Sequence, residues 1–267
     1  IYSTSQPNVI SFVTIFDTLW KQTELYEKLK DADNLKEEYI KKLRLADKAK
    51  DEFVNIAAHE LRTPTQSILT FANLLKYDVN KNESIEAIYR NAKRLNVLIK
   101  NILDVTKIES NKLVLHQENF NINDLLTTVI KDYTRQLKKP TYKRRIKVYY
   151  TLQSEILGPD ALIHADKERI IQVISNLLDN AIKFIEKDGL IRITLKISKG
   201  ESPHANGYAE IIIKDSGSGI SEEILPHLFS KFSTRSFQGT GLGLYISKNI
   251  IESHSGSMWA ENNKDGK

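Results

Sequence analysis

The first part of the chain carries apolar residues at helical spacing. Between residues 17 and 51 there is no glycine or proline, and charges of both signs alternate. The apolar positions in this stretch are Leu25, Leu29, Leu35, Tyr39, Leu43 and Ala46. Their spacing predicts one long solvated helix with a seam for a partner helix, as in a dimeric coiled coil. Residues 1–16 are interpreted as the tail of an upstream domain.

Two further helices are predicted between residues 52 and 108. The first repeats apolar residues at Phe53, Ala57, Leu61, Pro64, Ile68, Phe71 and Leu75. After a polar break, the second repeats them at Ile85, Ile88, Ala92, Leu95, Ile99 and Ile102. Matching seams joined by a short loop predict an antiparallel helical hairpin. Since one hairpin leaves a flank bare, we expect two copies to form a four-helix bundle.

From residue 109 to residue 267, strands and helices interleave. Helices are predicted in NFNINDLLTTVIKDYTRQLKK, with Asn121 or Asn123 near its cap, and in DKERIIQVISNLLDNAIKFI. Strands are predicted in IKVYYTL, ALIHAD, GLIRITLKIS and YAEIIIKD, and a further strand is predicted to begin at Val114. This order predicts a mixed sheet with helices on one face, which is an α/β sandwich.

Composition excludes several kinds of site and partner. The 267 residues include no cysteine, so disulfides and cysteine nucleophiles are excluded. The net charge of +5 is spread along the chain, and we therefore expect no nucleic-acid partner. The apolar run Val9–Phe16 is too short to cross a bilayer, so a membrane span is expected only outside these residues. We expect this part of the protein to be cytoplasmic.

His59 has an unusual setting. At about 100° per residue, it lies roughly 160° from the centre of the apolar seam and should face water. That alone is typical of an ordinary surface histidine. However, Glu60 follows directly, Thr63 shares the exposed side, and Pro64 removes a backbone donor and tends to kink the helix. A carboxylate beside an imidazole can hold one ring proton and activate the other nitrogen as a nucleophile.

Two glycine-rich segments are typical of a nucleotide pocket. The first, DSGSGI, places Asp215 at a strand end, where its carboxylate can accept a hydrogen bond from an exocyclic amine. A short helix is predicted directly after it, in SEEIL. The second, QGTGLGL, opens the helix LYISKNIIESH and offers backbone N–H groups to phosphates. No Gly-Lys-Ser/Thr sequence follows, so it is not a Walker loop.

Asn176 and Asn180 lie four residues apart, on one face of a predicted helix. Amide oxygens can ligate Mg²⁺, which prefers oxygen ligands and usually retains phosphates and waters. Two asparagines on a helix are more often surface residues, but their position ahead of the two glycine segments favours a metal and phosphate site.

Together these segments resemble the sensor histidine kinases of two-component systems. FVNIAAHELRTP resembles the H box of that family, NLLDNAIKF the N box and LFSKF the F box. DSGSGI and QGTGLGL resemble its two glycine-rich boxes. The likeness covers about residues 45–260, in the order of the family. It implies a dimeric helical bundle followed by an ATP-binding α/β sandwich of the Bergerat type.

The resemblance implies a role for each matched residue. His59 would accept the γ-phosphoryl group of ATP, Glu60 would act as its base, and Thr63 would orient a water for dephosphorylating a partner. The residues implied at the nucleotide are Asn176, Asn180 (the Mg²⁺ ligand), Lys183, Asp215 (the adenine contact), Gly217, Gly219, Phe232, Gly239, Gly241, Leu242 and Gly243. Residues 229–239 would form a lid, with Arg235 as a γ-phosphate contact.

The implied cofactors are ATP and Mg²⁺, and the implied partners are a second copy of the chain and the receiver domain of a response regulator. Residues 107–111 are expected to act as a hinge, because phosphoryl transfer requires the ATP-binding domain to reach the histidine. The family pattern continues into a further turn and strand after NNKDGK, so the ATP-binding domain at 109–267 is expected to be incomplete at its C-terminus.

Two alternatives remain open. The N box and glycine boxes alone also resemble the wider ATPases of the gyrase, heat-shock protein 90 and MutL families. A nucleotide-binding pseudokinase, acting as a dimeric signalling scaffold, is the other. The remaining histidines, His116, His164, His204, His227 and His254, lack metal-ligand spacing and are interpreted as surface or packing residues.

Overall fold

The computed structural model describes residues 6–75, 81–138, 144–154, 162–186, 188–198, 207–233 and 240–263. Its helices are α1 (Gln6–Leu75), α2 (Lys81–Glu109), α3 (Ile122–Leu137), α4 (Lys167–Phe184) and α5 (Gly243–Ser253), with a 3₁₀ helix at Leu225–His227. Its strands are β1 (Glu118–Asn121), β2 (Ile146–Ser154), β3 (Leu162–Ala165), β4 (Gly189–Ser198) and β5 (Tyr208–Asp215). The chain divides into two compact units, residues 1–59 and 60–267.

All described residues of the first unit, from residue 6 to residue 59, belong to one uninterrupted helix. The predicted helix at 17–51 begins earlier, at Gln6, and belongs to the 70 residues of α1. Glu24–Lys28 and Glu38–Lys42 form ion pairs one turn apart, at 2.6 and 2.7 Å, which support an exposed helix. Five residues of the predicted seam are exposed, namely Leu25 (59%), Leu29, Leu35, Tyr39 and Leu43 (62%). An apolar stripe left open in a single chain is the surface that a partner helix would cover.

In the second unit, the end of α1 and the whole of α2 form the predicted helical hairpin. Ala87, Leu98 and Val105 of α2 are buried, whereas Ile85 and Ile99 of the predicted seam are 47% and 44% exposed. Helix α2 therefore has two apolar stripes. The stripe with Ala87, Leu98 and Val105 is buried within the chain, whereas the stripe predicted from the spacing is more exposed. The exposed stripe remains available to a second copy.

Helix α1 continues through Pro64, so the expected kink does not interrupt it. The Thr65 hydroxyl group donates to the carbonyl of Leu61 at 2.7 Å, and the Ser67 hydroxyl group donates to the carbonyl of Thr63 at 3.1 Å. Side chains thus bind backbone carbonyls in the turn around Pro64, which has no N–H to donate.

In the part of the chain that the structure describes, two sheets replace the single sheet expected from the sequence. The larger is mixed, with β4 at its centre, parallel to β2 and antiparallel to β5. The smaller pairs β1 with β3 in antiparallel fashion. Alternate residues of β4 are buried, including Ile191, Ile193 and Leu195 at 0% exposure, and they join the apolar faces of α3 and α4 in one core. The mixed α/β architecture is confirmed.

Local expectations were met at the cap of α3 but not at two other places. The Asn121 side chain caps α3 by accepting from the N–H groups of Asn123 and Asp124. No strand begins at Val114, which is 68% exposed and so lacks the buried face that holds a strand in place. The short helix expected at SEEIL is a turn, followed by the 3₁₀ helix whose first turn contains Pro226.

Helix α2 ends in a capped turn. Lys112 donates its N–H to the carbonyl of Lys107 at 2.8 Å, and Asn111 donates to that of Ile108 at 3.0 Å. Asn111 takes the left-handed conformation with φ of 52°. These are the bonds of a Schellman motif, which Asn can close in place of Gly. Within the described residues, no helix is both long and apolar enough to span a bilayer.

Asp166 links three parts of the α/β unit and should contribute stability that depends on pH. It caps α4 by accepting from the N–H of Arg169, and it also accepts from the N–H of His116 at 2.9 Å. Desolvation opposes ionisation, but these hydrogen bonds and the charges of Arg169 and His254 lower the pKa of Asp166. Its carboxylate therefore stabilises the fold above the unfolded pKa of about 3.9, and that stability is lost as pH falls through the folded pKa.

We expect Asp166→Asn to lower the free energy of unfolding by about 1 kcal/mol at pH 7. The amide keeps the shape of the cap but loses its charge, so the deficit should shrink as the pH is lowered below 4. The loss of unfolding free energy is measured by urea unfolding at pH 7 and below pH 4. The exposed Asp132→Asn is the control variant. A deficit independent of pH would contradict the electrostatic explanation.

Candidate functional site

One pocket of about 690 Å³ gathers most of the residues predicted to bind a nucleotide. Helices α2 and α4, the segment after β5 and the segment before α5 form its wall. The predicted residues that line it are Asn176, Asn180, Lys183, Asp215, Gly219, Gly241 and Gly243. Its volume lies within the range of small-molecule and cofactor sites. Arg235 and Gly239 lie outside the described residues.

The end of β5 orients Asp215. Its Oδ1 accepts a hydrogen bond from the N–H of Gly217 at 2.8 Å. A Cβ atom at Gly217 would lie 2.7 Å from that oxygen and 2.9 Å from the carbonyl oxygen of Phe184. Gly217 therefore shapes the site indirectly, because the absence of a side chain lets the loop turn back onto Asp215 and the end of α4.

A residue near the end of the chain fixes the same loop, and the sequence analysis missed it. Asn262 accepts from the N–H of Ile220 and donates to its carbonyl, both at 2.7 Å. Gly219, with φ of 76°, lies beside this side chain. Asn262 is more than forty residues away from the loop in sequence, and no local pattern indicates that it contacts the loop.

Asn176 connects α4 to α5 at the edge of the pocket. Its side-chain NH₂ group donates to the carbonyl of Gly243 at 3.3 Å and to the hydroxyl group of Ser247 at 3.2 Å. Ser247 is fully buried. Asn176 thus holds the start of α5, where free N–H groups suit an anion, against the helix that carries Asn180.

Asp179, Asn180 and Lys183 form the polar wall of the pocket on α4. Desolvation lowers the pKa of the Lys183 ammonium group, and the charge of Arg94 lowers it further. Desolvation raises the pKa of the Asp179 carboxyl group, while a hydrogen bond from Tyr133 at 2.9 Å and the charge of Lys93 oppose that rise. Asp179 and Tyr133 were not predicted to belong to the site.

The donors on α4 fit Mg²⁺ in kind, because an amide and a carboxylate oxygen are ligands that it accepts. Across the described residues, no group of three or more His, Asp or Glu could hold a metal ion by itself. A magnesium ion here would therefore need phosphate and water oxygens to complete its shell, as is usual for this ion at nucleotide sites.

Gly241 closes the pocket next to Phe232. Its φ is 65°, and a Cβ atom there would lie 2.6 Å from the backbone of Phe232. Phe232 itself has φ of 58°. Neither Phe232 nor Leu242 lines the pocket. Leu242 is fully buried and accepts the N–H of Ile246 at the start of α5. These two residues thus support the loop from behind.

We expect Gly241→Ala to weaken nucleotide binding about tenfold, because alanine pays about 1–2 kcal/mol in the left-handed conformation and meets the backbone of Phe232 as well. The change in affinity can be measured by calorimetric titration with ATP. Gly256→Ala is a control outside the pocket, and circular dichroism should show both variants folded. An undiminished affinity of Gly241→Ala for ATP would contradict the importance of the close approach of Gly241 to the backbone of Phe232.

The residues of the predicted H box lie on α1. His59 is exposed, as its helical position predicted, and Thr63 is exposed as well. Glu60 is partly buried and pairs with Arg94 of α2, with 3.6 Å between Oε2 and Nη2. His59 belongs to the first compact unit and Glu60 to the second.

Helix α2 contributes to the pocket in a way that the sequence did not reveal. Arg90, Lys93, Arg94, Val97 and Asn101 all line it. The helix is held against α4 by Asp104, which is 7% exposed and accepts from Arg169 and Gln172, both at 2.8 Å. The pocket is therefore built from the hairpin as well as from the α/β fold.

These features define a class of protein in which an exposed helical histidine is combined with an ATPase-type pocket. The family model "His Kinase A (phospho-acceptor) domain" matches residues 49–111. The model "Histidine kinase-, DNA gyrase B-, and HSP90-like ATPase" matches residues 165–267. The chain belongs to the sensor histidine kinases.

Individual relatives agree with this membership. The autoinducer 2 sensor kinase/phosphatase LuxQ of Vibrio vulnificus (strain CMCP6) is 33% identical over 216 residues, which cover 77% of this chain and 24% of LuxQ. The chain thus spans about a quarter of that relative. The solved structure of histidine kinase ThkA in complex with response regulator protein TrrA is 27% identical, with a TM-score of 0.56, over 80% of this chain and 58% of ThkA.

Histidine kinase AdeS of Acinetobacter baumannii shares the fold. Its TM-score is 0.58 at 24% identity, over 77% of this chain and 91% of the AdeS chain.

Proposed function

We propose that the protein phosphorylates itself on His59 from Mg-ATP and passes the phosphoryl group to an aspartate of a response regulator. The observation that carries this proposal is the pocket, where seven residues predicted independently from three sequence boxes lie together. Matching family models for an acceptor domain and an ATPase domain support it.

Each residue has a role that follows from its position. The Asp215 carboxylate, oriented by Gly217, would accept a hydrogen bond from the adenine amino group. Lys183 and the start of α5 would hold the phosphates. Asn180, with phosphate oxygens, would hold Mg²⁺, which neutralises phosphate charge when bound.

The transfer step itself requires few groups from the protein. An imidazole nitrogen of His59 forms a bond to the γ-phosphorus, the bond between that phosphorus and the β–γ bridging oxygen breaks, and ADP leaves. Glu60 accepts the proton of the imidazole. Catalysis then consists of positioning and charge neutralisation, which are the main demands of phosphoryl transfer.

The partners of the reaction are a second copy of the chain and a receiver domain. The open apolar stripes of α1 and α2 support a dimeric four-helix bundle. The ThkA relative is solved with a response regulator, which supports the second partner. Thr63, exposed one turn beyond His59, would orient water to dephosphorylate that regulator, and the kinase/phosphatase LuxQ supports this second activity.

The domain organisation that we propose follows the sequence: a coiled-coil helix at 17–51, an acceptor hairpin at 52–108 and an ATP-binding domain from 109. The hinge expected at 107–111 is closed by the hydrogen bonds of the capped turn, so we place the flexible connection directly after Lys112. We place the described part of the protein in the cytoplasm.

The test is incubation of the protein with Mg²⁺ and γ-labelled ATP. We expect label on the protein that is stable in base and lost in acid, as a phosphohistidine is, and that moves to a receiver domain on addition. ATP binding without label would indicate a signalling scaffold instead. Released phosphate without labelled protein would indicate an ATPase of the gyrase type.

A further inference from the structure

Arg94 touches two parts of the proposed reaction. It lines the pocket together with Arg90, Val97 and Asn101, which lie at helical spacing on the same side of α2. It also pairs with Glu60 at 3.6 Å. Because Glu60 follows His59 directly in the sequence, one guanidinium group contacts the carboxylate that would accept the imidazole proton and also faces the pocket for the phosphates.

The electrostatics of the pocket favour an anion next to Arg94. Its charge is close enough to Lys183 of α4 to lower the pKa of that ammonium group, in addition to desolvation. Two cations from different helices thus face the same space. A polyphosphate between them would relieve their repulsion, and guanidinium groups bind phosphate oxygens through two parallel hydrogen bonds.

Helix α2 is a fixed wall of the pocket. Asp104, which is almost fully buried, accepts one hydrogen bond from Arg169 and one from Gln172, both on α4. At the end of α2, Glu109 forms an ion pair with Lys231, which follows the 3₁₀ helix. These contacts connect α2 to both sides of the pocket, and Arg94 is therefore held at its rim.

We propose that Arg94 is a phosphate-binding residue of the pocket and that nucleotide binding draws it away from Glu60. The inference rests on the proposed function, since it assigns a further residue to the same nucleotide site. The pair with Glu60 is long and partly exposed, so it is easily exchanged for shorter bonds to phosphate. The departure of Arg94 then removes a cation from Glu60, the carboxylate proposed to accept the imidazole proton, when the phosphates arrive.

The experiment measures equilibrium affinities for ATP and for adenosine, which lacks phosphates, in four proteins. These are the unaltered chain, Arg94→Gln, Glu60→Gln and the double variant. Arg135→Gln, on the exposed surface of α3, is the matched control for the loss of one charge.

We expect Arg94→Gln to weaken ATP binding about tenfold and to leave adenosine binding unchanged, because only phosphate contacts are lost. Glu60→Gln should tighten ATP binding about threefold, since Arg94 no longer has to leave a carboxylate. In the double variant that gain should disappear. Each affinity is obtained without any need for catalysis.

Two results would overturn the inference and leave the proposed function standing. One is an ATP affinity unchanged by Arg94→Gln. The other is an equal loss for ATP and adenosine, which would indicate a structural role only. If the unaltered protein bound no ATP, the proposed function would fail first, and this inference with it.

Discussion

Replacing His59 with glutamine should abolish acid-labile phosphorylation of the protein while changing ATP affinity by no more than about twofold. Glutamine has no nucleophilic ring nitrogen, so the γ-phosphoryl group has no acceptor. His59 is exposed on α1, and its replacement removes no buried contact of the core. Phosphorylation is measured with γ-labelled ATP, and affinity is measured by titration.

A matched control for this variant is His164→Gln, since His164 is also exposed and its ring bonds the Asn119 side chain outside the pocket. It should be labelled like the unaltered protein. Undiminished acid-labile label in His59→Gln would show that another histidine is the acceptor and would remove the basis for the roles given to Glu60 and Thr63.

Asn180→Ala should lower the rate of labelling at least about 100-fold, because removing a group that positions charge at a phosphoryl site costs a few kcal/mol of transition-state stabilisation. The residue lines the pocket among Asp179 and Lys183 on α4 and supplies an oxygen suited to Mg²⁺. The rate should be measured over a titration of Mg²⁺. The exposed Asn96→Ala, on α2, is the control.

An Asn180→Ala protein that labels at the normal rate at every Mg²⁺ concentration would contradict the role of this residue. The two variants are also informative when mixed. A mixed dimer of His59→Gln and Asn180→Ala has one intact acceptor and one intact pocket, on different chains. Label on the Asn180→Ala chain would show transfer across the dimer, and its absence would show transfer within one chain.

The sequence predicted the parts of the site that lie in contiguous segments. Each box places its residues on one helix face or one loop, so Asn176, Asp215 and Gly241 could be assigned without tertiary information. Their meeting in one pocket follows from how β5, α4 and α5 are arranged, and each of these three elements was predicted from the sequence.

The sequence could not predict contacts that depend on how elements pack. The cations of α2 were not assigned to the site, because nothing local shows which helix face meets α4. Asn262 acts on a loop far away in sequence, and Asp179 is distinguished only by its packing against Tyr133. Leu242 was assigned to the nucleotide, whereas its apolar side chain fills the core.

The capped end of α2 limits how far the ATP-binding part can travel. The turn up to Lys112 is closed by its own hydrogen bonds, and the N–H of His116 is bound to Asp166. Once the contacts of Asp104 with Arg169 and of Glu109 with Lys231 are broken, residues 113–115 connect the capped turn to His116, and the four Cα–Cα steps from Lys112 to His116 span at most about 14 Å when fully extended. Such a short linker keeps the ATP-binding pocket at a high effective concentration near the helical hairpin. Each glycine inserted into this linker should lower that effective concentration. Phosphorylation of the protein should then be slower, although neither His59 nor the nucleotide pocket is altered.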